Sequence, residues 1–154
     1  MTSMLERSAR IVDGTDAAPI GLKVTVDAGP VEEVAPGIGV IESFSNVVVF
    51  NTDDGLTLFD VSHGMAAKSV VASLRSWSND RVNTAVYTHG HTDHVGGAGA
   101  FNADATKRAD QPIQYVAHEA VVDRFDRYKL TNGYNGYINM RQFRLPGPMF
   151  PSDF

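Results

Sequence analysis

The chain of 154 residues has no cysteine, no long apolar run and no run of like charges. Without cysteine there can be no disulfide bonds, thiolate nucleophiles or cysteine-ligated zinc, so histidine and carboxylate are the remaining metal ligands. A membrane span needs roughly 18 or more consecutive apolar residues, and no segment approaches that length. The net charge of −5 is spread along the chain, which favours solubility and argues against nucleic acid or a membrane as a partner.

The N-terminal segment is polar where a secretion signal would need an apolar stretch. Glu6, Arg7 and Arg10 lie within it, so the sequence predicts neither an export signal nor an anchor. A cytoplasmic location follows as an expectation, and the lack of cysteine fits it. We expect residues 1–20 to form a flexible arm and residues 21–154 to form one domain.

From residue 31 onward the pattern predicts alternating strands and helices. The segments VEEVAPGIGVIESF, NVVVF and LTLFDV are rich in β-branched residues and bounded by turn signals, which favours an antiparallel meander. Val70, Leu74 and Trp77 lie at helical spacing and predict a helix with one buried stripe. A strand VNTAVYT, a helix in GGAGAFNADATKR, a strand IQYVAH and a helix EAVVDRFDRYKL follow. The remaining TNGYNGYINMRQFRLPGPMFPSDF has no sustained period, and no element is predicted there.

The segment YTHGHTDHVGG, residues 87–97, places three of the five histidines and one aspartate within six positions. It follows a predicted strand, and α/β sheets bind ligands beyond the carboxyl ends of their strands. His89 and His91 face the same side if the backbone is extended, and a tight turn can aim Asp93 and His94 at a second, neighbouring point. Imidazole and carboxylate are zinc ligands, so two adjacent metal sites are expected. The alternative is an exposed polar loop that is rich in histidine.

The letters HGHTDH fit the H-x-H-x-D-H signature, and their setting resembles the metallo-β-lactamase superfamily. The upstream segments SNVVVFNTDDGLTLFDVS, KSVVASLRSW and VNTAVYTH follow the order of that family's N-terminal half. The resemblance implies an α/β fold, the N-terminal half of an αβ/βα sandwich, with a mixed sheet and helices on one outer face. The segments AHE and NGYNGYINMRQF resemble the alkylsulfatase-like branch.

The resemblance also implies roles for the residues of the motif. His89 and His91 would bind one zinc ion, and Asp93 and His94 a second. Asp93 would also contact the attacking hydroxide and pass a proton to the leaving group. The implied activity is hydrolysis of an ester-like bond in a small molecule.

A second feature of the family is an aspartate that braces the metal loop, and Asp60 matches it. The family often has Asp-Thr-Gly at this point, whereas here Val61 and Ser62 follow the aspartate. We therefore expect the turn after Asp60 to be built differently.

The ligands in this chain fall short of a complete site. Two zinc ions need about six ligand contacts, and the motif provides four. The resemblance implies that the others come from a C-terminal half, and we expect this sequence to end before that half. His63 and His118 are further candidates because each follows a predicted strand; the alternatives are a polar turn for His63 and a hydrogen bond near a helix start for His118.

A sheet with helices on one face leaves the other face apolar. We therefore expect one of three situations: the sequence is a fragment incomplete at the C-terminus, a homo-oligomer covers the face, or the chain is a truncated product of weak stability. The alternative to a hydrolase is a truncated or partner-dependent metal-binding fragment without activity of its own. Aromatic residues in the C-terminal third either line a substrate cleft or pack. These residues are Tyr115, Phe125, Tyr128, Tyr134, Tyr137 and Phe143.

Overall fold

The computed structural model describes residues 3–16 and 27–143, which belong to two units that divide between Ala117 and His118. The second unit contains one described helix, α5 (Ala120–Phe143). The described elements of the first unit are, in chain order, α1 (Met4–Val12), β1 (Val31–Ala35), β2 (Ile38–Ile41), β3 (Val47–Thr52), β4 (Gly55–Phe59), α2 (Ala67–Trp77), β5 (Val82–Val86), α3 (Thr92–Val95), α4 (Ala98–Lys107) and β6 (Gln114–Val116).

The six strands form one mixed sheet whose strand order is the same as the chain order. Strands β1 to β4 pair antiparallel, which confirms the predicted meander. Strands β4, β5 and β6 are parallel, because α2 and α4 connect them and return the chain to the same edge. The α/β fold with a mixed sheet is therefore confirmed.

The core lies on the face of the sheet that α2 covers. Val49 on β3 and Leu58 on β4 are paired and fully buried, as alternation along a strand requires. Val70 and Leu74 are also fully buried, and Trp77 packs against the same cluster. The predicted stripe of α2 is thus confirmed. The parallel pairing of β4 and β5 brings the ends of both strands to the same edge of the sheet.

The opposite face of the sheet is apolar as well. Phe59 is paired with Val48 and Val86, and Val86 with Val116, so the four side chains share one face. Phe59 is 37% exposed and Val116 is 43% exposed. Coverage of this face by a second half or a second copy stays a prediction.

The polar N-terminal segment contains the helix α1, which the sequence analysis did not predict. The Ser3 hydroxyl accepts a hydrogen bond from the backbone N of Glu6 at 3.2 Å, and the Glu6 carboxylate accepts one from the backbone N of Ser3 at 2.9 Å. This reciprocal capping box stabilises the start of the helix, and its S-x-x-E signature is visible in the sequence. The flexibility of residues 1–20 stays a prediction, and residues 17–20 lie outside the described ranges.

The prediction that no element follows EAVVDRFDRYKL is wrong, because α5 continues to Phe143. Two internal glycines, each costing about 1 kcal/mol relative to alanine, blur the helical pattern here. Local hydrogen bonds support the helix instead: Thr131 Oγ1 donates to Arg127 O at 2.9 Å, and Asn135 Nδ2 donates to Thr131 Oγ1 at 2.8 Å. None of the described helices is long and apolar enough to cross a membrane.

The aromatic residues of the C-terminal third differ in their surroundings. Tyr115 packs against Tyr87 with ring centroids 5.5 Å apart, which is a packing role. Tyr134 and Tyr137 on α5 are 67% and 57% exposed. The side chain of Phe143 lies outside the described part of the chain.

Tyr115 gives a prediction about stability at alkaline pH. Burial and the neighbouring Tyr87 raise the pKa of Tyr115 to about 12, and its hydroxyl donates to Asn102 Oδ1 at 2.9 Å. The phenol ionises near pH 10 when the chain is unfolded, so the stability it contributes is full below about pH 10 and is lost as the pH rises towards the folded value. We expect Tyr115→Phe to lower the free energy of unfolding by about 1 kcal/mol at pH 8 and by clearly less at pH 11.

Denaturant unfolding at the two pH values measures this difference. Tyr134→Phe is the matched control, because that side chain is largely exposed. An equal cost of Tyr115→Phe at both pH values would contradict the prediction.

Candidate metal centre

The histidine loop, residues 87–97, follows β5 and contains the short helix α3. Strands β4 and β5 are parallel and end at the same edge of the sheet, with Phe59 paired to Val86. The residues after each strand, Asp60 and Thr88, are therefore neighbours. This edge is where the sequence analysis placed the candidate site.

Asp60 is the residue that ties the histidine loop to the sheet. Its side chain is largely buried, with the residue 5% exposed. Its Oδ1 accepts a hydrogen bond from Thr88 N at 2.8 Å, and its Oδ2 accepts one from Thr88 Oγ1 at 2.7 Å. His94 Nδ1 lies 2.7 Å from the same Oδ2. A carboxylate that accepts three hydrogen bonds holds both ends of the loop.

These hydrogen bonds also determine which ring nitrogens carry protons. The carboxylate of Asp60 only accepts, so the hydrogen in its contact with His94 belongs to Nδ1. Thr88 gives its single hydroxyl hydrogen to Asp60, so its Oγ1 accepts from His89 Nδ1 at 3.0 Å. In the neutral form both histidines then carry the lone pair on Nε2. One carboxylate and one hydroxyl thus set the tautomer of two candidate ligands, an arrangement typical of groups that orient metal-binding histidines.

The candidate ligands of the histidine loop lie close to one another. The ring centroids of His89 and His91 are 4.5 Å apart, and those of His89 and His94 are 4.0 Å apart. Asp93 Oδ2 lies 3.4 Å from His94 Nε2. Within residues 3–16 and 27–143, no three ligand-type side chains are grouped so as to hold an ion. The loop brings the four residues together, and their binding of metal stays a prediction.

Backbone hydrogen bonds fasten the histidine loop to the segment after β4. Val61 N donates to His94 O at 2.8 Å, and Gly97 N donates to Ser62 O at 3.0 Å. Asp60 and Ser62 have φ values of 61° and 62°, in the left-handed region that glycine adopts more easily. The turn after Asp60 therefore contains serine in a conformation that favours glycine, and its sequence departs from that of the family.

Sequence reasoning missed a contact from the turn between β2 and β3. Ser45 is 5% exposed, and its Oγ donates to Asp93 Oδ2 at 2.6 Å. The two residues are 48 positions apart, and only the tertiary fold brings them together. The one sequence signal is the polar turn ESFSN between two apolar strands, which predicts a turn without indicating its partner.

The structure places His63 near the candidate ligands. Burial lowers the pKa of His63, and the nearby Asp93 carboxylate partly opposes that change. His63 Nδ1 accepts a hydrogen bond from Met65 N at 3.1 Å, as a histidine in a polar turn would. Its role as an additional ligand stays a prediction.

His118 belongs to the second unit. Its Nδ1 accepts a hydrogen bond from Ala120 N at 3.1 Å, at the start of α5. This is the contact expected of a histidine beside a helix start, and ligation by His118 also stays a prediction.

Comparisons with known proteins bear on the family of this chain. The sequence profile described as the metallo-beta-lactamase superfamily matches residues 40–137. A solved double mutant of the sec-alkyl sulfatase PisA1 aligns with 61% of this chain at 22% identity, with a TM-score of 0.49, over 15% of its own length. BJP-1, a subclass B3 metallo-beta-lactamase of Bradyrhizobium japonicum, aligns with 59% of this chain at 18% identity, with a TM-score of 0.48, over 34% of its own length. The chain thus spans only a minor part of these proteins, and no curated protein matches it.

The matched region is more than half of the chain and includes the strands β3 and β4, the helix α2 and the whole histidine loop. The family predicted from the HGHTDH signature is confirmed: this chain belongs to the metallo-β-lactamase superfamily.

Proposed function

We propose that this chain contributes to a zinc-dependent hydrolase with two metal ions, which cleaves an ester-like bond in a small molecule. The observation that carries the proposal is the hydrogen-bond network of Asp60 and Thr88, which leaves the Nε2 lone pairs of His89 and His94 available to a metal ion. A buried carboxylate and a hydroxyl that together fix two imidazole tautomers are not required in an exposed polar loop.

The residues of the histidine loop suit zinc by the chemistry of their donor atoms. We assign His89 and His91 to one ion, and Asp93 and His94 to a second. When bound, zinc lowers the pKa of a coordinated water to about 7 and polarises the oxygen of the bond under attack. The histidines contribute neutral nitrogen ligands, and the carboxylate of Asp93 contributes one negative charge.

The other steps are the work of the protein's own groups. Asp60 and Thr88 accept hydrogen bonds from the Nδ1 atoms of the two histidines, so both Nε2 lone pairs would be available to a metal ion. The Asp93 carboxylate accepts a proton from the attacking water and passes it to the leaving oxygen. A cleft closed by further chain or by a partner would exclude bulk water from this transfer.

The substrate class that we propose to test first is a sulfate ester of an alkyl alcohol. The segments AHE and NGYNGYINMRQF resemble the alkylsulfatase-like branch of the superfamily. Lactones, thioesters and phosphoesters are the other ester-like substrates to be compared in the same assay.

The proposal predicts the metal content and the turnover of the purified chain. We expect about two zinc ions per chain at saturating metal, as two-metal hydrolases hold. We also expect turnover of a model ester that is lost in His91→Ala and in Asp93→Ala. Asp126→Ala removes an exposed carboxylate paired with Lys129 and serves as the control. Fewer than two bound zinc ions per chain at saturating metal would contradict the two-metal assignment.

A second candidate function is metal binding without activity of its own, in which a further segment or a partner completes the site. The observation that favours it is the small number of candidate ligands, because the histidine loop provides only four. In the described part of the chain, no three ligand-type side chains are grouped so as to hold an ion. Zinc binding without turnover would support this candidate. Full activity at high dilution would exclude a second copy as the partner.

A further inference from the structure

The turn between β2 and β3, residues 43–46, contacts the surroundings of the histidine loop through three consecutive side chains. Ser43 Oγ lies 2.9 Å from Ser62 Oγ, in the turn after Asp60. The ring of Phe44 meets the ring of His63 edge-on, with centroids 6.1 Å apart. Ser45 Oγ donates to Asp93 Oδ2 at 2.6 Å. Only the last of these contacts reaches a residue to which we assign a metal.

This turn is itself held in place by a hydrogen bond within the turn and by its attachment to the core. Ser43 N donates to Asn46 Oδ1 at 3.1 Å, which closes the turn on itself. Val47, the first residue of β3, is fully buried and anchors the turn to the core. Ser45 is also buried, at 5% exposure, so it has few other positions for its hydroxyl.

We propose that Ser45 is a positioning residue for Asp93. Its hydroxyl occupies one lone pair of Oδ2, which restricts rotation of the carboxylate and leaves its remaining acceptor positions for a metal ion. The inference rests on the proposed function, because it concerns the second ion, which Asp93 and His94 would hold. Ser45 acts on this ion through Asp93 and does not contact it.

The role of Ser45 predicts an effect on one metal site and not on the other. Ser45→Ala leaves Asp93 Oδ2 without its hydroxyl partner, so we expect the affinity for the second ion to fall by about tenfold or more. The first ion, held by His89 and His91, is expected to bind as in the unaltered chain. Ser45→Thr retains a hydroxyl and is expected to restore the second site.

The matched control comes from the same turn. Ser43→Ala removes a hydroxyl of the same kind, but that hydroxyl contacts Ser62 and not Asp93. If Ser45→Ala does not fold, Ser45→Cys takes its place. The thiol is a weak donor of similar size, so we expect an intermediate loss of affinity for the second ion. Thermal unfolding of each metal-free variant shows whether it is folded.

The experiment is a titration with cobalt(II), which reports each binding step by its absorption bands without any assay of activity. The proposal is supported if the unaltered chain shows two binding steps and the second step is weakened in Ser45→Ala. The second step must also be retained in Ser45→Thr and in Ser43→Ala. Equal second steps in Ser45→Ala and the unaltered chain overturn it while leaving the proposed function intact. Uptake of fewer than two ions by the unaltered chain overturns both the role of Ser45 and the proposed function. The two failures are distinguishable, because this one appears in the unaltered chain without any variant.

Discussion

Replacing Gly97 with alanine is expected to destabilise the chain by more than about 3 kcal/mol, above the usual range for an overpacked core. A Cβ atom at this position would lie 1.9 Å from the backbone oxygen of Val61 and 3.1 Å from Ala67 Cβ. A backbone oxygen cannot rotate away as a side chain can, so the two segments must separate. Separation also breaks the hydrogen bond from Gly97 N to Ser62 O.

Gly99→Ala is the matched control for this prediction, two residues further on. A Cβ atom there has no neighbour within 4 Å, and alanine is favoured over glycine within a helix by about 1 kcal/mol. We therefore expect Gly99→Ala to raise the melting temperature slightly and Gly97→Ala to lower it by at least roughly 6–12 °C for a chain of this size. Similar melting temperatures for the two variants would contradict the close contact between the histidine loop and Val61.

Asp60→Asn is expected to weaken metal binding by about 100-fold, because it disturbs the histidine tautomers. The amide has the shape of the carboxylate but has one acceptor oxygen instead of two. If its Nδ2 faces His94, then Nδ1 of that ring must accept, and the proton moves to Nε2, the atom assigned to the metal. The same substitution removes a charge-assisted hydrogen bond, so we also expect a loss of about 1–3 kcal/mol in the free energy of unfolding.

Nitrogen NMR of the imidazole rings measures this tautomer change in the metal-free chain, and zinc competition measures the affinity. Asp104→Asn is the control, because that carboxylate pairs with Arg75 away from the histidine loop. Unchanged tautomers together with an unchanged zinc affinity in Asp60→Asn would refute the role assigned to Asp60.

Much of the fold was predictable, because local patterns and burial agree in most elements. The helix α2 was identified from three apolar positions, and its Val70 and Leu74 are fully buried. The end of α5 was missed because glycine, asparagine and tyrosine alternate there without a single apolar stripe. The helix α1 was missed although its capping box is visible, because the charged residues of the segment favour a polar arm and none of its side chains is buried in a core.

The residues of the candidate site were predictable from their types and their spacing, whereas most of the side chains that hydrogen-bond to them were not. The spacing of the histidines and aspartate is a local property of the chain. The contacts of Ser45 with Asp93 and of Ser43 with Ser62 depend on distant segments that meet only in the folded sheet. Asp60 was identified through the family resemblance, and its contact with Thr88 follows from the parallel pairing of β4 and β5.

The agreement between strand order and chain order has a consequence for the assembly of the protein during synthesis. A chain is made from its N-terminus at about 5–20 residues per second, so each strand can join a neighbour already made. The groups that hold the histidine loop, on Ser45, Asp60 and Ser62, all precede it. The residues that hold the histidine loop are therefore synthesised before the candidate ligands, and the loop needs no later segment for these contacts.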